Sequence, residues 1–397
     1  MATPNDAEQV ARLVRRAASD GVPLAIRGGG HSQSGKSLTQ GGWVLDTRGL
    51  NQVQLLGDEL VRAQGGAPWG QILDALRGTR RLPPVVADIA EVTVGGTLSA
   101  GGLGTTSHRH GVQIAHVEKL EVVTGTGERV RCSRSENASL FDAVRGGQGQ
   151  FGIITEAWLR LRRAGGRLRQ YLLRYSDFER FASDLERIVE EGRFDHLRAE
   201  TRMHQRTILL SAAIEYDDPP DDGQVLEGLG YEKIDASGET DEVARAVMFP
   251  KWGFSWRNHH PWRDWFMPWE TLPTLLEQPW LDPQTIPRAP GSWTGVYPIR
   301  MGPIDAPLFM RPGGERMLSY SVLAVLSRRE RAHKVAERLR EIDRTLVGLG
   351  GKSYLSGDVG YGRREWAEHY GEKLELGIQW KKEFDPKRVF QAEGLPF

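Results

Sequence analysis

The sequence lacks the marks of several large protein classes. It has one cysteine, Cys132, in 397 residues. No internal disulfide can form, which fits a reducing compartment. No run approaches the roughly 20 apolar residues that a membrane span requires. Met1 to Val10 is polar and has no apolar secretory core. Excess charge of either sign is missing too. Lys+Arg and Asp+Glu both number 52, which argues against broad electrostatic binding to nucleic acid or to an acidic membrane surface. There is no internal repeat and no low-complexity tract. A soluble cytoplasmic protein is expected, of two domains or one large one.

Glycine is abundant, at 47 residues, and much of it clusters before residue 150. Such clusters mark places where the backbone closely approaches something. Between them the pattern alternates short elements. Asn5 to Asp20 reads as a helix capped by Asn5, with Glu8 completing a capping box. Val22–Ile26, Trp43–Asp46, Leu60–Gln64 and Phe151–Leu161 read as strands, and Pro68–Leu76 and Ser135–Arg145 as helices. Lys119–Thr124 and Glu128–Cys132 form a hairpin. After Gly165-Gly166 glycine becomes sparse, while charge and aromatics rise. There Ser176–Glu191, Arg331–Val347 and Arg364–Lys382 read as helices. His196–Met203, Ile208–Tyr216 and Leu318–Leu326 read as strands, and Pro219–Gly223 as a loop. The fold class is α+β.

Three glycine motifs carry chemistry. In Arg27-Gly28-Gly29-Gly30-His31-Ser32, three glycines after a strand let backbone N–H groups turn inward as a nest for a pyrophosphate. The G-G-G-H spacing is not a Rossmann fingerprint. An imidazole in that loop can bond to the 8α-methyl carbon of a flavin; the alternative is a glycine turn with an incidental histidine. In Thr93 to Gly104, main-chain donors could wrap a long cofactor, helped by the hydroxyls of Thr93, Thr97 and Ser99; the alternative is a structural loop. Gly146 to Thr155 offers a third close approach. His108 and His110 flank Arg109, but no third ligand stands at sensible spacing, so no metal site is expected. Residues 252–293 hold Trp252, Trp256, Trp262, Trp265, Trp269, Trp280 and Trp293, either an aromatic lid over a planar substrate or packing.

Together these motifs resemble the FAD-linked oxidases of the vanillyl-alcohol oxidase superfamily, and within it the cytokinin dehydrogenase pattern. The likeness runs through R-G-x-G-H-S, W-V-L-D-T-R-G-L-N from Trp43, G-G-T-L-S from Gly95, Arg109-His110-Gly111, S-E-N-x-x-L-F from Ser135 and G-Q-F-G-I-I-T from Gly149. It continues through His260-Pro261-Trp262, Tyr297-Pro298, Tyr354-Leu355 and Phe384-Asp385-Pro386. It implies an FAD-binding domain over 1–163, completed by 364–397. A substrate-binding domain with an antiparallel sheet would span 164–363. It further implies FAD attached covalently through His31, with Gly28, Gly29, Gly30 and Ser32 at the pyrophosphate. Lys36, Thr93, Ser99, Leu103, Ile154 and Tyr354 would stand around the flavin. Asp88 matches the proposed catalytic base, and Glu215 a glutamate at the substrate channel's mouth.

The chemistry is coherent with those assignments. A carboxylate that takes an N–H or O–H proton lets a substrate expel hydride to a flavin. The expected reaction is oxidation of a C–N or C–O bond of a small molecule, with oxygen or another acceptor taking the electrons. A natural-product, alcohol or sugar oxidase is the alternative. A flavin-binding protein without turnover is a further one, disfavoured by Asp88 and Glu215. The chain also departs from the cytokinin dehydrogenase pattern. Lys36 replaces glutamine, and Gln391 and Gly394 replace serine and glutamine. Arg300 replaces asparagine and Arg198 glutamate. The two arginines suggest a more polar or anionic substrate.

Overall fold

The first helix, α1 (Ala7–Asp20), is capped by Asp6 and not by Asn5: the Gln9 amide donates to the Asp6 carboxylate at 2.7 Å. The Gln9 side chain accepts the Asn5 amide, one residue before the cap, at 3.1 Å, so the cap sits one residue later than the pattern suggested and the expected reciprocal box is not made. The computed structural model describes residues 1–202, 207–241, 243, 259–277, 292–302, 304–326, 329–391 and 394–397.

After α1 come β1 (Leu24–Arg27) and β2 (Trp43–Asp46), a parallel pair. Then follow β3 (Val53–Leu56), β4 (Leu60–Gln64), α2 (Trp69–Ala75), β5 (Arg81–Leu82), α3 (Val94–Ala100) and α4 (Ser107–His110). The half ends with β6 (Val117–Val123), β7 (Arg129–Ser133), α5 (Ala138–Val144), β8 (Ile153–Arg160) and β9 (Arg162–Arg163). Five of the strands form an antiparallel sheet in the order β3-β4-β8-β6-β7. The expected hairpin is β6–β7, and Cys132 is buried within it.

The second glycine cluster is not all loop, because α3 lies inside it. Gly95, inside the helix, serves close approach, whereas Gly101 and Gly102 at its end take positive φ of 127° and 71°. The Gly95 amide donates to Gly65 O at 2.7 Å, and a Cβ at 95 would stand 2.9 Å from that oxygen.

The second half runs β10 (Arg167–Tyr175), α6 (Phe178–Glu191), β11 (His196–Arg202), β12 (Thr207–Tyr216), α7 (Asp222–Leu226), β13 (Lys233–Thr240) and β14 (Trp262–Pro268). It continues with α8 (Leu272–Leu276), β15 (Trp293–Arg300), β16 (Arg316–Leu323), α9 (Arg329–Gly348), β17 (Lys352–Tyr354), α10 (Arg363–Tyr370) and α11 (Lys373–Phe384). Eight strands make one antiparallel sheet, β13-β10-β12-β11-β15-β16-β14-β17. α6 and α9 cover one face, packing Phe181, Leu185, Leu339 and Ile342 against Tyr171, Leu210, Trp265 and Tyr320. On the other face Phe266, Ile299, Met317 and Tyr354 share a core with Val94, Leu98 and Phe141 of the first half. The fold is α+β.

Two expectations change here. α7 begins inside the segment read as a loop, because Asp221 accepts the Gly223 and Gln224 amides as its cap. The helix expected over Arg364–Lys382 is two, α10 and α11, broken at Gly371 with φ of 52°. The chain then returns to its beginning. Leu24 N donates to Val389 O at 2.8 Å and Phe397 N to Gln150 Oε1 at 2.9 Å. Buried Asp385 accepts the Val389 and Phe390 amides and pairs with Lys381 at 2.9 Å. Among the described residues, no helix is long and apolar enough to cross a membrane.

Gly65 is packed against the Ile154 carbonyl with no room for a methyl, whereas Gly238 in β13 faces open space. Gly65→Ala is expected to destabilise the protein by about 2–3 kcal/mol, while Gly238→Ala changes stability by less than about 0.5 kcal/mol. Denaturant titration of both variants checks this.

Candidate active site

A cleft lies between the two halves, with about 1520 Å³ of open space including its mouth. Its lining runs from the glycine loop after β1 to strands β14, β15 and β16 of the second sheet, the reach of an extended ligand. Gly28, Gly29, Gly30, His31, Ser32, Lys36, Asp88, Thr93, Ser99, Leu103, Ile154 and Tyr354 all line it.

The loop after β1 has reasons to be glycine. A side chain on Gly28 would strike the Thr93 hydroxyl, one on Gly29 would come 2.7 Å from Glu91 O, and Gly30 has φ of 74°. The loop is also tied across the cleft. Lys36 Nζ donates to Leu355 O and to Gly357 O (2.6 Å), Gln33 N to Ser356 O (3.1 Å), and Ser34 to Asp358. Lys36 therefore spends its donors on carbonyls. Burial pushes its ammonium down to about 7, Asp358 opposing and Arg263 adding to the shift. Burial likewise lowers His31, against Glu91, which favours its charged form; a neutral imidazole keeps a nucleophilic lone pair.

Of the three hydroxyls expected to serve a cofactor, one is open. Thr97 accepts from Trp69 Nε1 at 2.9 Å, and Ser99 donates to Gly95 O at 2.7 Å, satisfying its own helix. Thr93 Oγ1 is buried in the cleft wall with no hydrogen-bond partner among the described residues. Ser319 Oγ, on β16, is in the same position. Open buried hydroxyls beside a side-chain-free glycine cradle fit an extended polar cofactor such as FAD.

The second sheet supplies the opposite wall. Trp262, Asp264, Tyr297, Ser319, Ser321 and Tyr354 line the cleft; Ser321 is registered with Asp264, Asp264 with Tyr354, and Tyr297 with Ser319. Asp264 is held by Trp262 Nε1 at 2.6 Å and Ser356 Oγ at 3.0 Å, and burial raises its pKa. The sequence reading gave Asp264, Ser319 and Ser321 no role. A signal was available, because polar residues at every second place in strands otherwise fully buried mark a face that is not ordinary core.

Asp88 opens onto the cleft, yet is enclosed deeply enough that burial dominates its titration. Tyr297 Oη donates to its Oδ2 at 2.6 Å. Burial lifts Asp88 to about 6, with Arg198 and the Tyr297 bond working against the rise.

Glu215 does not join this group. Arg162 grips it at 2.6 and 2.8 Å, His196 Nε2 bonds it at 2.8 Å, and it is outside the cleft lining. Burial acts to raise it, but the Arg162 and His196 bonds overcome that and hold it well below the usual carboxylate range. Its role here is to bind the start of the second half to the strand before it.

Arg300 is exposed and outside the cleft, and Arg198 sits behind Asp88, paired with Glu200 at 3.0 Å. Neither offers a cation to a substrate. Tyrosines aside, the titratable groups lining the cleft among the described residues are His31, Lys36, Asp88 and Asp264.

The tryptophans do not form one lid. Trp262 lines the cleft, Trp265 is wholly buried against Asp343, and Trp269 lies under Arg316. Trp252, Trp256, Trp280 and the side chain of Trp293 lie outside the described residues. His108 bonds the Thr105 and Phe194 carbonyls, and His110 meets the His116 ring edge-on. Among the described residues no three potential ligands converge on a metal position.

Known proteins resemble this chain in sequence. Residues 1–133 match the model of an FAD binding domain family. Across 97% of its length the chain is 32% identical to an uncharacterised oxidoreductase of the fasciation locus of Rhodococcoides fascians, covering 90% of that protein. It is 30% identical to cytokinin dehydrogenase 1 of Oryza sativa subsp. japonica, over 97% of this chain and 84% of that one. With cytokinin dehydrogenase 6 of the same plant the identity is 29%, over 96% and 84%. The chain is thus an FAD-dependent oxidoreductase, and it belongs to the vanillyl-alcohol oxidase superfamily, in the family that includes the cytokinin dehydrogenases.

Proposed function

We propose that this protein oxidises a C–N bond of a small neutral or cationic amine, with FAD attached through His31 and Asp88 as the base. The observation that carries the reading is Asp88 itself, a carboxylate opening onto the cleft whose pKa of about 6 makes it ionised yet basic near neutrality. In this reading residues 1–163 with 364–397 hold the flavin and 164–363 hold the substrate. The Gly28–Ser32 loop and Thr93 grip the pyrophosphate side. FAD, when bound, supplies the acceptor for the substrate's hydride. Asp88 takes the N–H proton, so the substrate loses two electrons and two hydrogens in all. Oxygen or another acceptor then receives the electrons.

An amine is favoured because the cleft offers two carboxyls, while its one lysine is engaged by carbonyls. The names of two relatives make N6-substituted adenines the first compounds to try.

Three outcomes are expected. Acid-denatured protein retains one FAD mass, and His31→Ala does not; intact-mass spectrometry decides. Flavin reduction by a substrate amine rises as pH climbs through about 6 and fades below it, since only the ionised base can accept the proton. In Asp88→Asn it falls by about 10²–10⁴-fold, measured by stopped-flow absorbance. Amine analogues carrying a carboxylate bind at least about tenfold more weakly than their neutral counterparts, because a second anion meets Asp88 and Asp264, read from substrate titrations of reduction rate.

A further inference from the structure

We propose that Tyr297 is a positioning residue for Asp88, occupying Oδ2 so that Oδ1 is the one oxygen offered to a substrate proton. This rests on Asp88 being the base.

The geometry has three parts. Tyr297, on β15, is 3% exposed, and its hydroxyl donates to Asp88 Oδ2 at 2.6 Å. Asp88 accepts no other hydrogen bond from the described residues. Its Oδ1 faces the Gly104 backbone and accepts no hydrogen bond from the described residues, while the Asp88 side chain lines the cleft.

The second part stands behind the tyrosine. β11 pairs with β15 with Ala199 opposite Val296, so Arg198 and Tyr297 are the next rung on the ladder. Arg198 is hydrogen-bonded to the Tyr297 oxygen. A guanidinium donating to a phenol that donates to a carboxylate is a polarised chain, in which each bond strengthens the next.

Third, the phenol cannot act as a rival base. Burial, then the adjacent Asp88 charge, drive its ionisation well above the ordinary tyrosine range. It stays protonated wherever the enzyme works, and so remains a donor. The other charged groups facing Asp88 are Glu200 and His196 of β11; His196 is itself held between Thr105 and Glu215. The chain therefore orients the carboxyl and favours its ionised form from one side only. A proton taken from a substrate goes to Oδ1 without disturbing the bond on Oδ2.

The test is Tyr297→Phe in the flavin-loaded enzyme, which removes one oxygen and keeps the ring. The pH profile of flavin reduction is expected to move its acid limb up by about one pH unit, as a lost bond to the charged form requires. The plateau rate falls about tenfold from lost orientation, with substrate affinity changed less than about threefold. Arg198→Met is expected to move the limb the same way and Arg198→Lys to move it less; these two decide the matter if Tyr297→Phe does not fold. An unchanged limb and plateau in Tyr297→Phe, or in Arg198→Met should that carry the test, overturns the proposal. If at the same time Asp88→Asn has lost reduction, the base reading survives alone. Wild-type reduction by Asp88→Asn overturns both.

Discussion

The cleft exists because backbone runs against backbone with nothing between. Gly65 N donates to Thr155 O at 2.9 Å, Gly66 N to Leu50 O at 2.8 Å, and Gly95 N to Gly65 O at 2.7 Å. At each place a methyl group would strike a carbonyl. These contacts seat α3 against the ends of β4 and β8 and thereby set Thr93, which in turn fills the space that Gly28 leaves. Widening any one of them by the radius of a carbon would part the wall carrying His31 from the wall carrying Thr93. The glycines act as thin spacers, and only Gly30 among the loop's three uses a positive φ.

Two buried acids in this molecule titrate in opposite directions because their partners differ. Asp88 and Glu215 are both withdrawn from water, which disfavours charge on each. Glu215 meets a guanidinium at bonding distance and is locked as an anion. Asp88 meets a neutral phenol, and its nearest cation stands one group farther back. That extra group separates a fixed structural charge from one that can change hands near neutral pH. Asp264 is a third case, a buried carboxyl surrounded by Trp262, Ser321 and Ser356 as donors.

Much of this was legible in the sequence, and the failures have physical causes. The loop Gly28–His31 could be read because its glycines are demanded by local packing, and β2 and β4 because their patterns are uninterrupted. α3 was hidden because glycine at close-approach positions looks the same in a sequence as glycine at turns. Glu215 could be aligned by motif, but its partner Arg162 comes from a different element, and an ion pair across 53 positions leaves no local trace. Arg198 and Arg300 looked alike as substitutions. Strand register alone places one behind the base and the other in solvent. Tyr297 stood in a recognised dipeptide whose meaning depended on Asp88, 209 positions earlier.

The latch between Lys36 and the carbonyls after β17 joins residues 319 and 321 positions apart. Chains are made from the N-terminus at roughly 5–20 residues per second, so 319 residues take about 16–64 s. For that interval the histidine-bearing loop has emerged and its anchor has not been made. The pocket is thus completed only when residues far along the chain have been made. However early its glycines fold, the loop waits on an anchor more than 300 positions downstream.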